Sequence, residues 1–325
     1  MTITADRMAG PATMASIDDL PPGTVGLSLR EALAIAANHA GPDQVVFDGS
    51  VFPATIAIDS ELAVAGDATT LDATGAGVTI EPSPGYTGVL VHVTGTNAAV
   101  GGLALQGTAD EAVRVDTTSN VSITDCHVAV TGAMPIHVIA SSDVTIQRAF
   151  VALQAKTGTV YGIVLEGSTR AHVLDNIIDP GTAWMIDLQD TSQSEIRGNI
   201  LDGADTGIVL FGASNNNMVF MNVAIAPAYH AVYVDTAPTG NVVLNNTSLM
   251  AASSAFADVS GVTMMLNNLD STSPADFVSP ATYDFHLVAG SPSIDAASDV
   301  GQDMLPDSPA RFLGAGPDLG AVESY

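Results

Sequence analysis

The stretch "DNIIDPGTAWMIDLQDTSQSEIRGNILD", residues 175–202, carries one phrase nearly twice: "DNIID" begins at Asp175 and "GNILD" at Gly198, 23 residues on. Aligning the chain on the asparagine of this phrase extends the series to Leu103, Cys126, Ala149, Asn176, Asn199, Asn222, Asn246 and Asn267, with gaps of 23, 23, 27, 23, 23, 24 and 21. Three residues before each stands an apolar residue: Val100, Ile123, Ile146, Val173, Ile196, Val219, Val243 and Met264. A second set of short apolar phrases lies earlier in each period: "VRV" (113–115), "IHV" (136–138), "IVL" (163–165), "IDL" (186–188), "IVL" (208–210) and "VYV" (232–234). Such alternation has the period of a strand. The residues between are Ser, Thr, Asn, Asp and Gly, which make turns.

A period of this length with several short strands in it reads as a solenoid. No leucine consensus recurs and no helical periodicity fills the repeat, which excludes leucine-rich, ankyrin and tetratricopeptide arrays. The expected fold is all-β, a single-stranded parallel β-helix of about ten coils, in which equivalent residues stack about 4.8 Å apart. Asn176 and Asn199 then lie one above the other and their amides hydrogen-bond along the stack, while the inner Ile and Val residues form apolar columns. A solenoid exposes core and strand edges at its ends and needs caps. Ser28 and Glu31 have capping-box spacing, an apolar face follows at Leu29, Leu33, Ile35 and Ala36, and Gly41–Pro42 ends the helix. The expected organisation is a loosely ordered segment 1–26, a cap with the helix and first strand at 27–48, coils over 49–270 and a closing segment 271–325. In that segment Arg311 is a candidate to pair with Asp295 or Asp318.

Composition narrows the partners. The 325 residues include 35 acidic and 8 basic side chains, a formal net charge of −27. Nucleic acid is excluded as a partner, because phosphate binding needs clustered Lys and Arg. Cys126 is the only cysteine, so there is neither an internal disulfide nor a cysteine zinc site. No apolar run reaches the length of a membrane span, and "MTITADRMAGPATMASIDDLPPG" (1–23) lacks the pattern of a secretory signal. Nucleotide-binding, zinc-protease and hydrolase-elbow motifs are absent.

The coils resemble the right-handed parallel β-helix repeats of the pectate-lyase-like superfamily. "LSLREALAIAANHAGPDQVVFD" (27–48) is similar to the SLREA segment that opens many secreted or surface bacterial β-helix proteins. "DFHLVAGSPSIDAASDVGQDMLPDSPARFLGAGPDLGAVES" (284–324) resembles their F-x-L-x-x-G-S-P-x-I-D…P-D-x-G-A-x-E ending, with Ala297 where that pattern has Gly. The resemblance covers residues 27–324. It implies a right-handed helix, an extracellular or cell-surface location, and relatives that are polysaccharide lyases, adhesins or proteins of unassigned role.

Candidate chemistry sits at outward positions on neighbouring coils. Asp179 and Asp202 each follow the asparagine column by three residues and stack about 5 Å apart. With Asp205 and backbone oxygens they form a candidate calcium site. At that separation they also suit retaining glycoside cleavage. Asp125, Arg148 and Asp175 occupy equivalent positions on successive coils and form a candidate ion ladder, in which Arg148 is placed to neutralise a uronate. His172 and Glu195 lie one coil apart near Arg170 and Arg197, a candidate acid–base pair. Lys156, the only lysine, lies with Tyr161 in the one coil lengthened to 27 residues. Lyases of the superfamily take the α-proton with Lys or Arg beside calcium, so the resemblance makes Lys156 and Arg148 catalytic candidates. Against that stands the scarcity of basic residues to hold a polyanion. Outward positions become apolar in "MVFM" (218–221), "VVL" (242–244) and "MML" (264–266), a face to be covered by the closing segment or by self-association. The leading reading is a non-catalytic scaffold or carbohydrate-contacting protein. The alternative is a polysaccharide lyase or glycoside hydrolase.

Overall fold

The computed structural model describes residues 13–21, 26–49, 53–154, 160–179, 183–299 and 314–320. They form an all-β parallel β-solenoid of about nine turns with one short helix near the N-terminus. The chain divides into two compact units, Met1–Ala171 and His172–Tyr325. In each, three short strands per coil stack into three parallel sheets, here A, B and C in the order the chain meets them.

In the first unit the interior of sheet A is the column Val45, Leu71, Val100, Ile123 and Ile146, joined rung to rung in register. Sheet B contributes Ile56, Ile80, Leu105, Val128 and Val151. Sheet C contributes Leu62, Val91, Val113, Ile136 and Ile163. All are buried, and each contributes roughly 1.5–3 kcal/mol by leaving water. The β-branched side chains suit this role because their restricted rotamers pack regularly on a pleated surface.

The helix, Leu29–Asn38, closes the first unit. Ser28 accepts from the Glu31 N–H at 3.2 Å, and the Glu31 carboxylate accepts from the Ser28 N–H at 2.9 Å, the reciprocal cap that the spacing predicts. Leu29, Leu33 and Ala36 are buried and Ile35 is half-buried. The helix packs against strands Asp43–Val46 and Leu62–Val64. The approach is close at Gly66, where a Cβ would lie 2.6 Å from the Ala36 carbonyl oxygen.

In the second unit the asparagine column is continuous. The side-chain amide of Asn176 donates to Asn199 Oδ1, Asn199 to Asn222, Asn222 to Asn246 and Asn246 to Asn268, each at 2.9 Å. Each acceptor oxygen also takes the backbone N–H of the preceding asparagine. The ladder therefore ends on Asn268 and not on Asn267, and the apolar column Val173, Ile196, Val219, Val243 ends on Met265 and not on Met264. The last coil is displaced by one residue from the expected alignment. The residue just before each ladder position turns the chain in the left-handed region, as at Asp175, Gly198, Met221 and Asn245, and Asn267, with φ +52°, fills that corner. In the first unit Leu103, Cys126 and Ala149 hold the ladder position as buried apolar groups, and burial pushes the Cys126 thiol up to about 11.

The closing segment folds back on the second unit. Strands Phe277–Ser279 and Asp284–Leu287 pair antiparallel. Phe277, Phe285 and Leu287 cover Ile200, Val223, Ile225 and Leu249 on the outer face of sheet B. Of the apolar face expected over 218–266, Phe220, Met221 and Leu244 pack together and are buried, whereas Met264 and Leu266 are 60% and 49% exposed. Ser298 bonds to both Asn245 and Asn267. Asp295 and Asp318 are engaged by backbone N–H groups within this segment. Arg311, their expected partner, lies outside the described residues.

Candidate functional site

The residues singled out in the sequence fall into separate places. Lys156 lies outside the described residues. Arg148 and Asp125 form a two-pronged ion pair at 2.7 and 2.8 Å, and the bond from Arg148 holds the Asp125 carboxyl below its ordinary range. Asp175 belongs to the second unit, where its N–H donates to the Arg197 carbonyl. Arg170 pairs with Asp143 at 2.7 Å rather than joining the His172 group.

His172 and Glu195 do meet, with Nδ1 3.3 Å from the carboxylate, and Arg197 donates to the same carboxylate at 3.0 Å. The bond from His172, aided by Arg197 against the effect of burial, holds Glu195 low. Asp179 and Asp202 are brought together as expected, and the Tyr283 hydroxyl of the closing segment donates to both. Burial and then the Asp179 charge push Asp202 up, opposed by the Tyr283 bond. Asp205 uses its carbonyl to accept the Tyr229 N–H. Among the described residues no group of three or more His, Cys, Asp or Glu side chains is arranged to hold a metal ion.

The chemistry that sequence reading missed lies on the outer face of sheet C, on the middle letters of the strand phrases. In the first unit His92, Arg114 and His137 are register partners on strands Val89–Val93, Glu111–Asp116 and Ile136–Ile139. Arg114 grips Glu111 with two bonds of 2.8 and 2.7 Å. His137 lies between Glu111 and Glu166, each ring nitrogen 3.3 Å from a carboxylate oxygen. Burial works to raise Glu111, but the bonds from His137 and Arg114 outweigh it and hold the carboxyl low. Glu111 and His137 are buried, whereas the Glu166 side chain is 53% exposed.

In the second unit the same positions become aromatic. Strands Ala183–Gln189, Thr206–Phe211 and His230–Val234 bring Trp184, Thr206 and His230 into one register row, and Asp187, Val209 and Tyr233 into another. Trp184 and His230 are thus two coil spacings apart, roughly 10 Å. Between and beside them lies an open groove of about 390 Å³, completed by Phe211, Tyr229 and Asp235. Tyr229 and Phe211 are 60% and 49% exposed. The His230 and Tyr233 rings stack with centroids 5.4 Å apart. His230 Nδ1 lies 2.8 Å from the Ser254 carbonyl oxygen. A carbonyl only accepts, so Nδ1 carries a proton. The groove therefore combines broad apolar ring faces with hydroxyl, imidazole and carboxylate groups at its edge, the composition of a small-ligand site.

The chain matches the family described as "Right handed beta helix region" over residues 87–248. No curated protein sequence matches it. Among solved structures it is similar to pectate lyase Pel9A, with 14% identity and a TM-score of 0.51 over 100% of this chain and 96% of that one. It is also similar to an alginate lyase from Paenibacillus sp. str. FPU-7, with 15% identity and a TM-score of 0.46 over 76% of this chain and 98% of that one. A further similar structure is the periplasmic alginate epimerase AlgG, with 14% identity and a TM-score of 0.44 over 66% of this chain and 61% of that one. At these identities the likeness is one of fold, the right-handed parallel β-helix.

Proposed function

We propose that the protein is a carbohydrate-contacting β-helix that holds a glycan chain against the outer face of sheet C in its second unit. The observation that carries this reading is the groove bounded by Trp184, Tyr229, His230 and Tyr233. Aromatic rings offer large flat apolar area at low entropic cost, and they pack on the C–H face of a pyranose ring. Hydroxyl and carboxylate groups at the rim then bond to sugar hydroxyls. The resemblance of segments 27–48 and 284–324 to those of secreted and surface proteins supports action outside the cell. The test is depletion of the full chain from solution by insoluble polysaccharides. Binding is expected for the parent and is expected to be lost in Tyr229→Ala/Tyr233→Ala. Equal depletion of parent and double variant would remove the groove from the reading.

A second reading, cleavage of a polysaccharide, is favoured by the Glu111–His137–Glu166 cluster. A buried, ionised carboxylate braced by Arg114 orients an imidazole that is also in reach of an exposed carboxylate. That arrangement suits general acid–base chemistry. Cleavage predicts new reducing or unsaturated chain ends that disappear in Glu166→Gln and His137→Ala. No new ends from the parent chain across acidic and neutral polymers would sink it.

A further inference from the structure

We infer that the groove on sheet C takes an uncharged glycan and rejects polyuronates, an inference that rests on the carbohydrate-contacting reading and specifies its ligand. Direct recognition of a uronate chain by side chains relies on fixed cations, because the cost of desolvating a carboxylate is best offset by Arg or Lys in good geometry. Among the described residues every arginine is engaged elsewhere. Arg30 donates to the Ser60 and Glu61 carbonyls. Arg114, Arg148, Arg170 and Arg197 donate to Glu111, Asp125, Asp143 and Glu195. Among the described residues, none of these arginines lines the groove.

The charge that is present has the wrong sign for a polyanion. The Asp235 carboxylate stands at the rim, close enough to Tyr233 for a 3.4 Å contact with its hydroxyl. Asp187 lies beneath the same face, in register with Val209 of the groove floor, and its buried Oδ1 has no hydrogen-bond partner among the described residues. The whole chain adds a formal −27, a field that lowers the local concentration of any polyanion at modest ionic strength. An uncharged sugar meets none of this repulsion. Its hydroxyls donate to the Asp235 carboxylate, bond to the His230 ring, and accept from the Thr206 and Tyr229 hydroxyls. Its ring faces pack on Trp184 and Tyr233. The occupant is thus selected by what surrounds the aromatic rings.

Trp184 is the only tryptophan in the chain, so its fluorescence reports on the groove directly. The full chain is titrated with oligosaccharides of uncharged hexoses and pentoses (β-glucan, mannan, galactan and xylan hexamers), and separately with oligogalacturonate and oligomannuronate, at low and at physiological ionic strength. The expected result is a saturable fluorescence change with at least one uncharged oligomer. It should be little altered by salt, and its midpoint should rise at least tenfold in Tyr233→Ala. Tyr229→Ala, at a side chain already largely exposed, is the second variant and is expected to weaken binding with an unchanged melting curve. Saturation by a uronate oligomer, lost in the same variants, overturns the uncharged class and leaves the carbohydrate-contacting reading standing. Saturation by neither class overturns both.

Discussion

Asn199 is a middle rung of the ladder, and its amide is fully used. Its Nδ2 donates to Asn222 Oδ1 and to the Val173 and Arg197 carbonyls, while its Oδ1 accepts from the Asn176 side chain and backbone. Replacing it by Leu preserves bulk and removes these bonds, leaving buried donors and acceptors without partners. Asn199→Leu is therefore expected to lose roughly 1–3 kcal/mol in reversible denaturant unfolding, and an unchanged midpoint would count against the stack. Asp187 is a different kind of buried polar residue. Gln189 donates to its Oδ2 at 2.6 Å, and among the described residues nothing partners its Oδ1. Burial, opposed by the Gln189 bond, pushes its carboxyl from the ordinary 3.8 up to about 6. Between those values the folded chain holds a proton that the unfolded chain has released. Stability from this group is thus complete at low pH, falls as pH rises from about 4 to about 6, and levels off beyond, with a penalty on the order of 3 kcal/mol. Asp187→Asn is expected to be more stable than the parent near pH 8 and close to it near pH 4. Denaturant midpoints at both pH values decide the matter, and a parental pH slope in the variant would assign the titration to another group.

At the scale of elements, the closing segment is tied to the coils by an apolar cluster and by polar contacts, those of Ser298 with Asn245 and Asn267 and that of Tyr283. The apolar contact is the Phe277, Phe285 and Leu287 cluster on sheet B. Among the polar contacts is that of Tyr283, whose hydroxyl bridges Asp179 and Asp202 on neighbouring coils. Burial first, and then the bond to Asp179, raise the Tyr283 phenol, so it stays a donor across the physiological range. Tyr283→Phe leaves the two carboxylates facing each other without that donor. Its expected cost is about 1 kcal/mol near neutral pH, with a smaller cost near pH 3, where Asp202, raised by burial and by the Asp179 charge, is protonated. Thermal melts at the two pH values test this, and a cost that does not change with pH would show that the tyrosine acts by packing. Calcium held by Asp179 and Asp202 would have to displace the phenol. If the pair binds calcium, millimolar calcium should therefore raise the melting temperature more in Tyr283→Phe than in the parent. No response in either chain would leave the pair to Tyr283 alone.

For the whole molecule, charge is the dominant feature. With 35 acidic and 8 basic residues, self-repulsion opposes the compact state wherever carboxylates are not paired. The described arginines neutralise particular neighbours, and exposed pairs of this kind contribute at most about 1 kcal/mol each. Screening should accordingly stabilise the chain. Raising NaCl from about 10 mM to about 150 mM shortens the Debye length from ~30 to ~8 Å, and the melting temperature is expected to rise. A fall would mean that the Arg114, Arg148 and Arg170 ion pairs, which salt weakens, outweigh the general repulsion.

Much of this architecture follows from the sequence alone, because a solenoid is built from local repetition. The 23-residue recurrence of "DNIID" and "GNILD" determines a coil. The alternation in "VRV" and "IDL" determines a strand. The Ser28–Glu31 spacing determines the capped helix, since a capping box needs only four consecutive residues. Tertiary structure decided the rest. The pair Asn267–Asn268 offers two residues for one rung, and only the coil geometry, which needs a left-handed corner just before the ladder, assigns Asn268. The closing segment could be expected to fold back, but which face it covers depends on packing between residues far apart in the chain, such as Ile200 and Phe285. The sheet C site was present in the sequence as the middle letters of phrases already recognised as strands. Its two characters, the Glu111–Arg114–His137–Glu166 cluster and the Trp184–Tyr233 groove, emerged only once the register aligned those letters. A strand's period tells which residues face outward. Which outward residues become neighbours is set by coil length and by the insertions between coils.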